Sequence, residues 1–158
     1  MKTLTRDENE KVRQTAAACL GEMGRSDGAA LDELGKLLGD PASSVRNAVV
    51  GALKRMAEKN PAPALAFAKR HMQDPNPAIR REMAHGIELR GRTHPEEVLP
   101  ILAAIQFDPS RNVQKTLIHV IGQVSYKKGC LPVVLDALAG WQNKELVQSA
   151  LAEIIKTI

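Results

Sequence analysis

Aromatic residues are nearly missing from this sequence. Phe67, Phe107, Tyr126 and Trp141 are all there are, and they stand apart from one another. That scarcity argues against the aromatic platforms on which single-stranded nucleic acid stacks. With 21 alanines in the chain, it also favours helix-on-helix packing over sheets. Cysteine is scarce too. Cys19 and Cys130 form no CxxC and no zinc pattern, so both read as lone thiols in a reducing compartment. Cys19 falls close to an apolar helix stripe and is expected in the core. No apolar run approaches the roughly 20 residues of a membrane helix, and charged residues stud the first 30 positions. Neither a membrane span nor a signal peptide is expected, and the cytoplasm is the expected location. HExxH, GxSxG, GxxxxGK and GxGxxG are all absent, so no enzyme activity, cofactor or metal is expected.

The 158 residues suit one domain with a real core. Net charge is +4, made of +2 in residues 1–78 and +2 in residues 79–158. No basic arm stands out, so the charge tolerates nucleic acid as a partner without demanding it.

What the chain has instead is repetition. "DENEKVR" at position 7 returns as "DPASSVR" at 40, "DPNPAIR" at 74 and "DPSRNVQ" at 108. The aspartates Asp7, Asp40, Asp74 and Asp108 are 33, 34 and 34 residues apart, and Trp141 opens a fifth register 33 further on. A fixed period of this size marks a stacked-repeat fold. Five places after each register residue stand Val12, Val45, Ile79, Val113 and Leu146. Nine places after stand Ala16, Val49, Met83, Leu117 and Ala150, and thirteen after stand Leu20, Leu53, Ile87, Ile121 and Ile154. Apolar residues at steps of four define one helix face, here called helix B. An apolar helix A precedes each later register residue, and Gly28, Pro61, Pro95 and Gly129 separate each B from the next A. In the A-to-B turns, Asp is expected to cap helix B and Pro to take its first position.

An Asp followed five places on by an aliphatic residue and six places on by Arg, within a helix-turn-helix unit, resembles the HEAT repeat. Asp7/Val12/Arg13, Asp40/Val45/Arg46 and Asp74/Ile79/Arg80 carry the likeness, and Pro100 sits where HEAT repeats kink helix A. The period is that of the short, bacterial-type variants. The resemblance implies an all-α fold, an α-α superhelix of about four to five stacked helix pairs. It spans residues 1–158 as one domain, with units near 1–27 (partial), 28–60, 61–94, 95–128 and 129–158. It also implies a hydrogen-bonded ladder of Asp7, Arg13, Asp40, Arg46, Asp74, Arg80 and Asp108. Gln114 and Trp141 depart from the pattern, so the ladder is expected to stop there.

The last helix carries Leu146, Val147, Leu151, Ile154, Ile155 and Ile158, more than one buried stripe needs. The expectation is a fragment of a longer repeat protein, or end-to-end self-association through this helix.

In such a stack the B helices line the concave side. At about 100° per residue, the seventh, eleventh and fourteenth places face away from the core. They bring forward Asn47, Lys54, Arg81, His85, Lys115, His119 and Gln148 as candidate partner-binding residues. Arg81 and Lys115 beside His85 and His119 suit an acidic or phosphorylated segment of an unidentified protein. The plain alternative is a solvated helix face. The two histidines lack a third ligand in these columns, and His71 and His94 read as surface or capping residues. Arg25, Lys59, Arg90, Arg92, Lys127 and Lys128 mark the B-to-A loops, where a helix dipole alone would favour them. Two enzyme families with HEAT-like folds are similar. The alkylation-repair DNA glycosylases would imply duplex-DNA binding, yet the groove rows here hold no aromatic and Glu88 as the one obvious acid. Phycobilin lyases use short HEAT-like repeats, but nothing identifies a bilin site. The expected function is therefore a non-enzymatic scaffold for a protein partner, with duplex DNA as the competing ligand.

Overall fold

The computed structural model describes residues 3–158. Among them are nine α-helices, two short 3-10 turns and no strand. The helices are α1 (Glu10–Met23), α2 (Gly28–Lys36), α3 (Ser43–Lys59), α4 (Pro61–His71), α5 (Pro77–Gly91), α6 (Pro95–Ala103), α7 (Arg111–Val124), α8 (Cys130–Ala139) and α9 (Lys144–Thr157). The odd-numbered helices are the B helices of the sequence pattern, and the even-numbered ones the A helices. None is long and apolar enough to cross a membrane. The contacts divide the chain into two compact units, which meet in sequence at Phe67 and Ala68.

In the first unit α1 packs against α3 and α2. Ala16, Ala17 and Leu20 of α1 are buried with Val45, Val49, Leu53 and Met56 of α3 and with Leu31 and Leu34 of α2. In the second unit α5 packs on α7 and α7 on α9, while α6 packs on α8. Its core holds Met83, Ile87, Leu99, Leu102, Leu117, Ile121, Val134 and Ile154. The ninth- and thirteenth-place rows are buried throughout; at the fifth place only Val12 is half-exposed.

The turns differ from expectation in one respect. The register aspartates do not cap the B helices. Each accepts the backbone N–H two residues on: Asn9 N to Asp7, Ala42 N to Asp40, Asn76 N to Asp74 and Ser110 N to Asp108, at 2.8–2.9 Å. The helices start later, and Asn9, Asn76, Ser110 and Asn143 supply the capping oxygens. Pro41, Pro75 and Pro109 lie in the turn, while Pro77 takes the early helical position of α5. The physical reason is that each carboxylate is already engaged by the N–H two residues on, in a turn that precedes the helix. Asp40 and Asp108 each receive an arginine from the preceding repeat.

Cys19 is exposed, contrary to its expected place in the core. It stands twelve places after its register residue. The same place in α3 is Ala52, and a Cβ built on Gly21 would come within 2.4 Å of the Ala52 Cβ. The twelfth place therefore packs on the preceding B helix, and no helix of the described residues covers that row of α1. Cys130 is half-buried at the start of α8, its thiol 3.5 Å from the Arg92 carbonyl.

Candidate functional site

The face opposite the core stripe is best developed on α5 and α7. Arg81 and Lys115 hold the seventh place of each helix, and His85 and His119 the eleventh. The two imidazole rings lie 6.3 Å apart, tilted by 57°. Lys115 and His119 are exposed, His85 and Arg81 half-buried. The Arg81 guanidinium touches Glu82 at 3.3 Å, and its Nε is buried without a hydrogen-bond partner.

Beneath the histidines lies a carboxylate. Glu88 is 8% exposed, with Oε2 at 3.8 Å from the His85 Nδ1. Its Oε1 accepts from Arg92 Nη2 at 2.5 Å, and the same Nη2 donates to Gln123 Oε1 at 2.9 Å. Burial pushes the Glu88 carboxyl up, but His85, the Arg92 hydrogen bond and the charges of Arg92 and His119 outweigh it and hold the group below the usual carboxylate range. The Arg92 Nε is buried and unpaired like that of Arg81. Sequence reasoning placed Arg92 on the loop rim and overlooked Gln123. The i, i+4 spacing from Glu88 to Arg92 was the available signal. No group of three His, Cys, Asp or Glu among the described residues is placed to hold a metal ion.

The remaining candidates lie elsewhere. Asn47 is in the first unit and lines an open groove of about 710 Å³ between α1 and α3. Gln14, Ser44 and Gly51 share that groove, and Lys11 and Arg55 supply its cations. Lys54 is half-buried on α3 outside it, and Gln148 is exposed on α9. Much of the basic rim is neutralised. Arg25 pairs with Glu22 and reaches Asn60, Arg90 makes two bonds to Glu97 at 2.7 and 2.8 Å, and Arg92 is held by Glu88. Lys59, Lys127 and Lys128 are the exposed remainder.

The register residues form rungs within each unit. Arg13 bonds both Asp40 oxygens at 2.8 and 3.1 Å and the Asp7 carbonyl at 2.8 Å. Arg80 bonds both Asp108 oxygens at 2.6 and 3.0 Å and the Asp74 carbonyl at 2.8 Å. Arg46 donates to the Asp40 carbonyl at 2.6 Å. Gln114, lacking the second fork of an arginine, holds only the carbonyl of Asp108 at 2.7 Å. The turn at Trp141 is tied differently: Gln106 accepts from the N–H groups of Gln142 and Asn143.

Residues 1–70 match the family of HEAT repeats. No curated protein matches the chain by sequence. Among solved structures, AlkD2 from Streptococcus mutans superposes with a TM-score of 0.71 at 18% identity, covering 94% of this chain and 76% of AlkD2. A designed armadillo repeat protein in complex with the peptide (KR)4 gives 0.51 at 18% identity, covering 97% and 80%. An engineered protein gives 0.52 at 15% identity, covering 99% and 76%. At these identities the likeness speaks for the fold alone. The match to HEAT repeats covers residues 1–70, under half of the chain, and the described residues share the all-α repeat-solenoid fold of these structures.

Proposed function

We propose that this chain is a non-enzymatic HEAT-repeat scaffold of the cytoplasm whose α5–α7 face binds an acidic or phosphorylated segment of a protein partner. The observation that carries the reading is the grouping of Arg81, Lys115, His85 and His119 on one face of α5 and α7, with the two imidazole rings 6.3 Å apart. An anionic oxygen there would share the charges of Arg81 and Lys115. His85 and His119 add two ring nitrogens that donate when protonated. The designed armadillo protein bound to a peptide supports the fold as a peptide carrier, although that peptide is basic and the face here is cationic.

A second reading is duplex DNA. The resemblance to alkylation-repair DNA glycosylases and the overlap in fold with AlkD2 support it. The neutralised arginines of the rim weigh against it, because nonspecific duplex binding draws on many unpaired cations.

Fluorescence anisotropy separates the two readings. A labelled phosphopeptide, an acidic peptide and a generic duplex are titrated at low and physiological salt. The scaffold reading expects peptide binding that is lost in an Arg81→Ala/Lys115→Ala variant and little duplex binding at physiological salt. Duplex binding with a steep salt dependence, and no peptide binding, would replace it with the DNA reading.

A further inference from the structure

The A helices α6 and α8 pack side by side in the second unit and leave a groove of about 230 Å³ between them. Leu99 and Trp141 are buried in its wall, while Pro100 and Val133 are exposed along it. Pro100 and Val133 hold the same place, eight before the register residues Asp108 and Trp141. Two exposed carboxylates, Glu96 and Asp136, stand in the same lining, and no Lys, Arg or His joins them. Glu96 lies one turn before Pro100 on α6, and Asp136 about one turn after Val133 on α8. Along its length the groove therefore reads acid, apolar, acid. With Pro100 and Val133 level, the two acids are about 10 Å apart along the helices, at 1.5 Å per residue.

The fold itself gives these acids little to do. Neither carboxylate makes a hydrogen bond or ion pair among the described residues. Glu96 suits the first turn of α6, where the helix dipole favours an anion. Asp136 stands in the last turn of α8, where the dipole disfavours one. Pro100 adds a further acceptor. It has no N–H, so the Glu96 carbonyl lacks the helical bond that residue 100 would otherwise give it. The groove thus offers several oxygens and no cation to meet them. Its volume is below the roughly 300–1,000 Å³ of small-molecule sites and suits a single large side chain.

We propose that the α6–α8 groove binds an extended segment of a protein partner with the pattern basic–x–apolar–x–basic. The apolar side chain sits between Leu99, Pro100, Val133 and Trp141, and the two cations meet Glu96 and Asp136. In an extended strand alternate residues share one face, and four steps of about 3.3 Å span about 13 Å, within side-chain reach of both acids. Arginine suits the Glu96 end, because its fork offers separate N–H groups to a carboxylate and a carbonyl. The ligand is opposite in charge to the one proposed for the α5–α7 face, and the groove stands independently of that reading.

Trp141 is the single tryptophan, so its indole N–H gives one signal in a proton–nitrogen correlation spectrum. That signal is followed while the capped peptide Arg-Ser-Leu-Ser-Arg is added, with Gln-Ser-Leu-Ser-Gln and Arg-Ser-Ser-Ser-Arg as controls. The expected result is a saturable shift with the first peptide and weaker binding of both controls. Glu96→Gln with Asp136→Asn should weaken binding about tenfold, as suits two exposed ion pairs, with an unchanged Tm. Arg81→Ala with Lys115→Ala should leave the shift intact, which separates this groove from the α5–α7 face. No saturable shift overturns the proposal, and so does an unchanged affinity in the Glu96→Gln/Asp136→Asn variant. Equal binding of the glutamine peptide overturns it in favour of a purely apolar occupant. A signal that moves with protein concentration alone overturns it in favour of a second copy of the chain.

Discussion

Arg13 grips both carboxylate oxygens of Asp40, a residue 27 positions further along the chain, while a third nitrogen of the same guanidinium holds the carbonyl of Asp7. One side chain thereby ties its own turn to the turn of the next repeat. Arg80 does the same for Asp74 and Asp108. The planar five-donor fork is what allows both jobs at once, and no lysine could replace it.

Removing such a rung should show in stability. Arg80→Ala leaves the Asp108 carboxylate, 3% exposed, without its partner. The expected loss is about 1.5–3 kcal/mol, the range for hydrogen bonds to charged groups. Arg46→Ala, which removes a bond within its own turn, should cost nearer ~1 kcal/mol. Urea unfolding of the two variants checks both values, and equal midpoints would argue against the rung.

The same rungs set a pH dependence. The hydrogen bond from Arg13 holds the Asp40 carboxyl below its ordinary range, against the opposing effect of burial. For Asp108, burial pushes the carboxyl up and the Arg80 bond outweighs it, so this group is lowered too. A depressed carboxyl binds fewer protons folded than unfolded. Its stabilisation is present above the unfolded value of about 4 and disappears as pH falls through the folded one. The raised values of Arg13 and Arg80 act only at alkaline extremes. Thermal melts should therefore hold steady near neutrality and fall below about pH 4. Asp40→Asn with Asp108→Asn should flatten that acid slope.

Close helix approach gives a contrast between two glycines. Gly21→Ala places a methyl 2.4 Å from the Ala52 Cβ, and two Cβ atoms cannot rotate away from each other. A loss of about 1–3 kcal/mol is expected from overpacking. Gly28→Ala meets nothing within 4 Å at the start of α2 and should be neutral or stabilising by up to about 1 kcal/mol. Melting the pair side by side is sufficient.

Thiol reactivity tests the exposure of Cys19. In native protein at low concentration, Ellman's reagent should modify Cys19 quickly and the half-buried Cys130 more slowly.

At the anionic site, Arg81→Ala with Lys115→Ala should leave the Tm almost unchanged. Lys115 is exposed, and losing the Arg81 Nε removes a buried donor that had no partner. Glu88→Gln should behave differently. It keeps the shape but discharges the partner of Arg92, so a measurable drop in Tm is expected together with tighter binding of an anionic peptide.

The repeat itself was legible in the sequence. Val45, Val49 and Leu53 recur every 33 or 34 residues because each helix B needs the same buried stripe, and burial tolerates only apolar side chains. Arg13, Arg46 and Arg80 stood out through the resemblance to HEAT repeats, which sets an arginine six places after each register aspartate. Three things were settled only by tertiary structure. Gln123 joins Glu88 and Arg92 because α5 and α7 pack together, and no column of the repeat records that contact. Asp40 and Asp108 each take an arginine from the preceding repeat, a pairing that exists only once the repeats are packed. Cys19 is exposed although Ala52 at the same place is buried, because burial there depends on what lies against the helix and not on the helix's own sequence. A stripe along one chain fixes which face turns inward, but a contact between repeats belongs to two segments at once, and only their packing decides it.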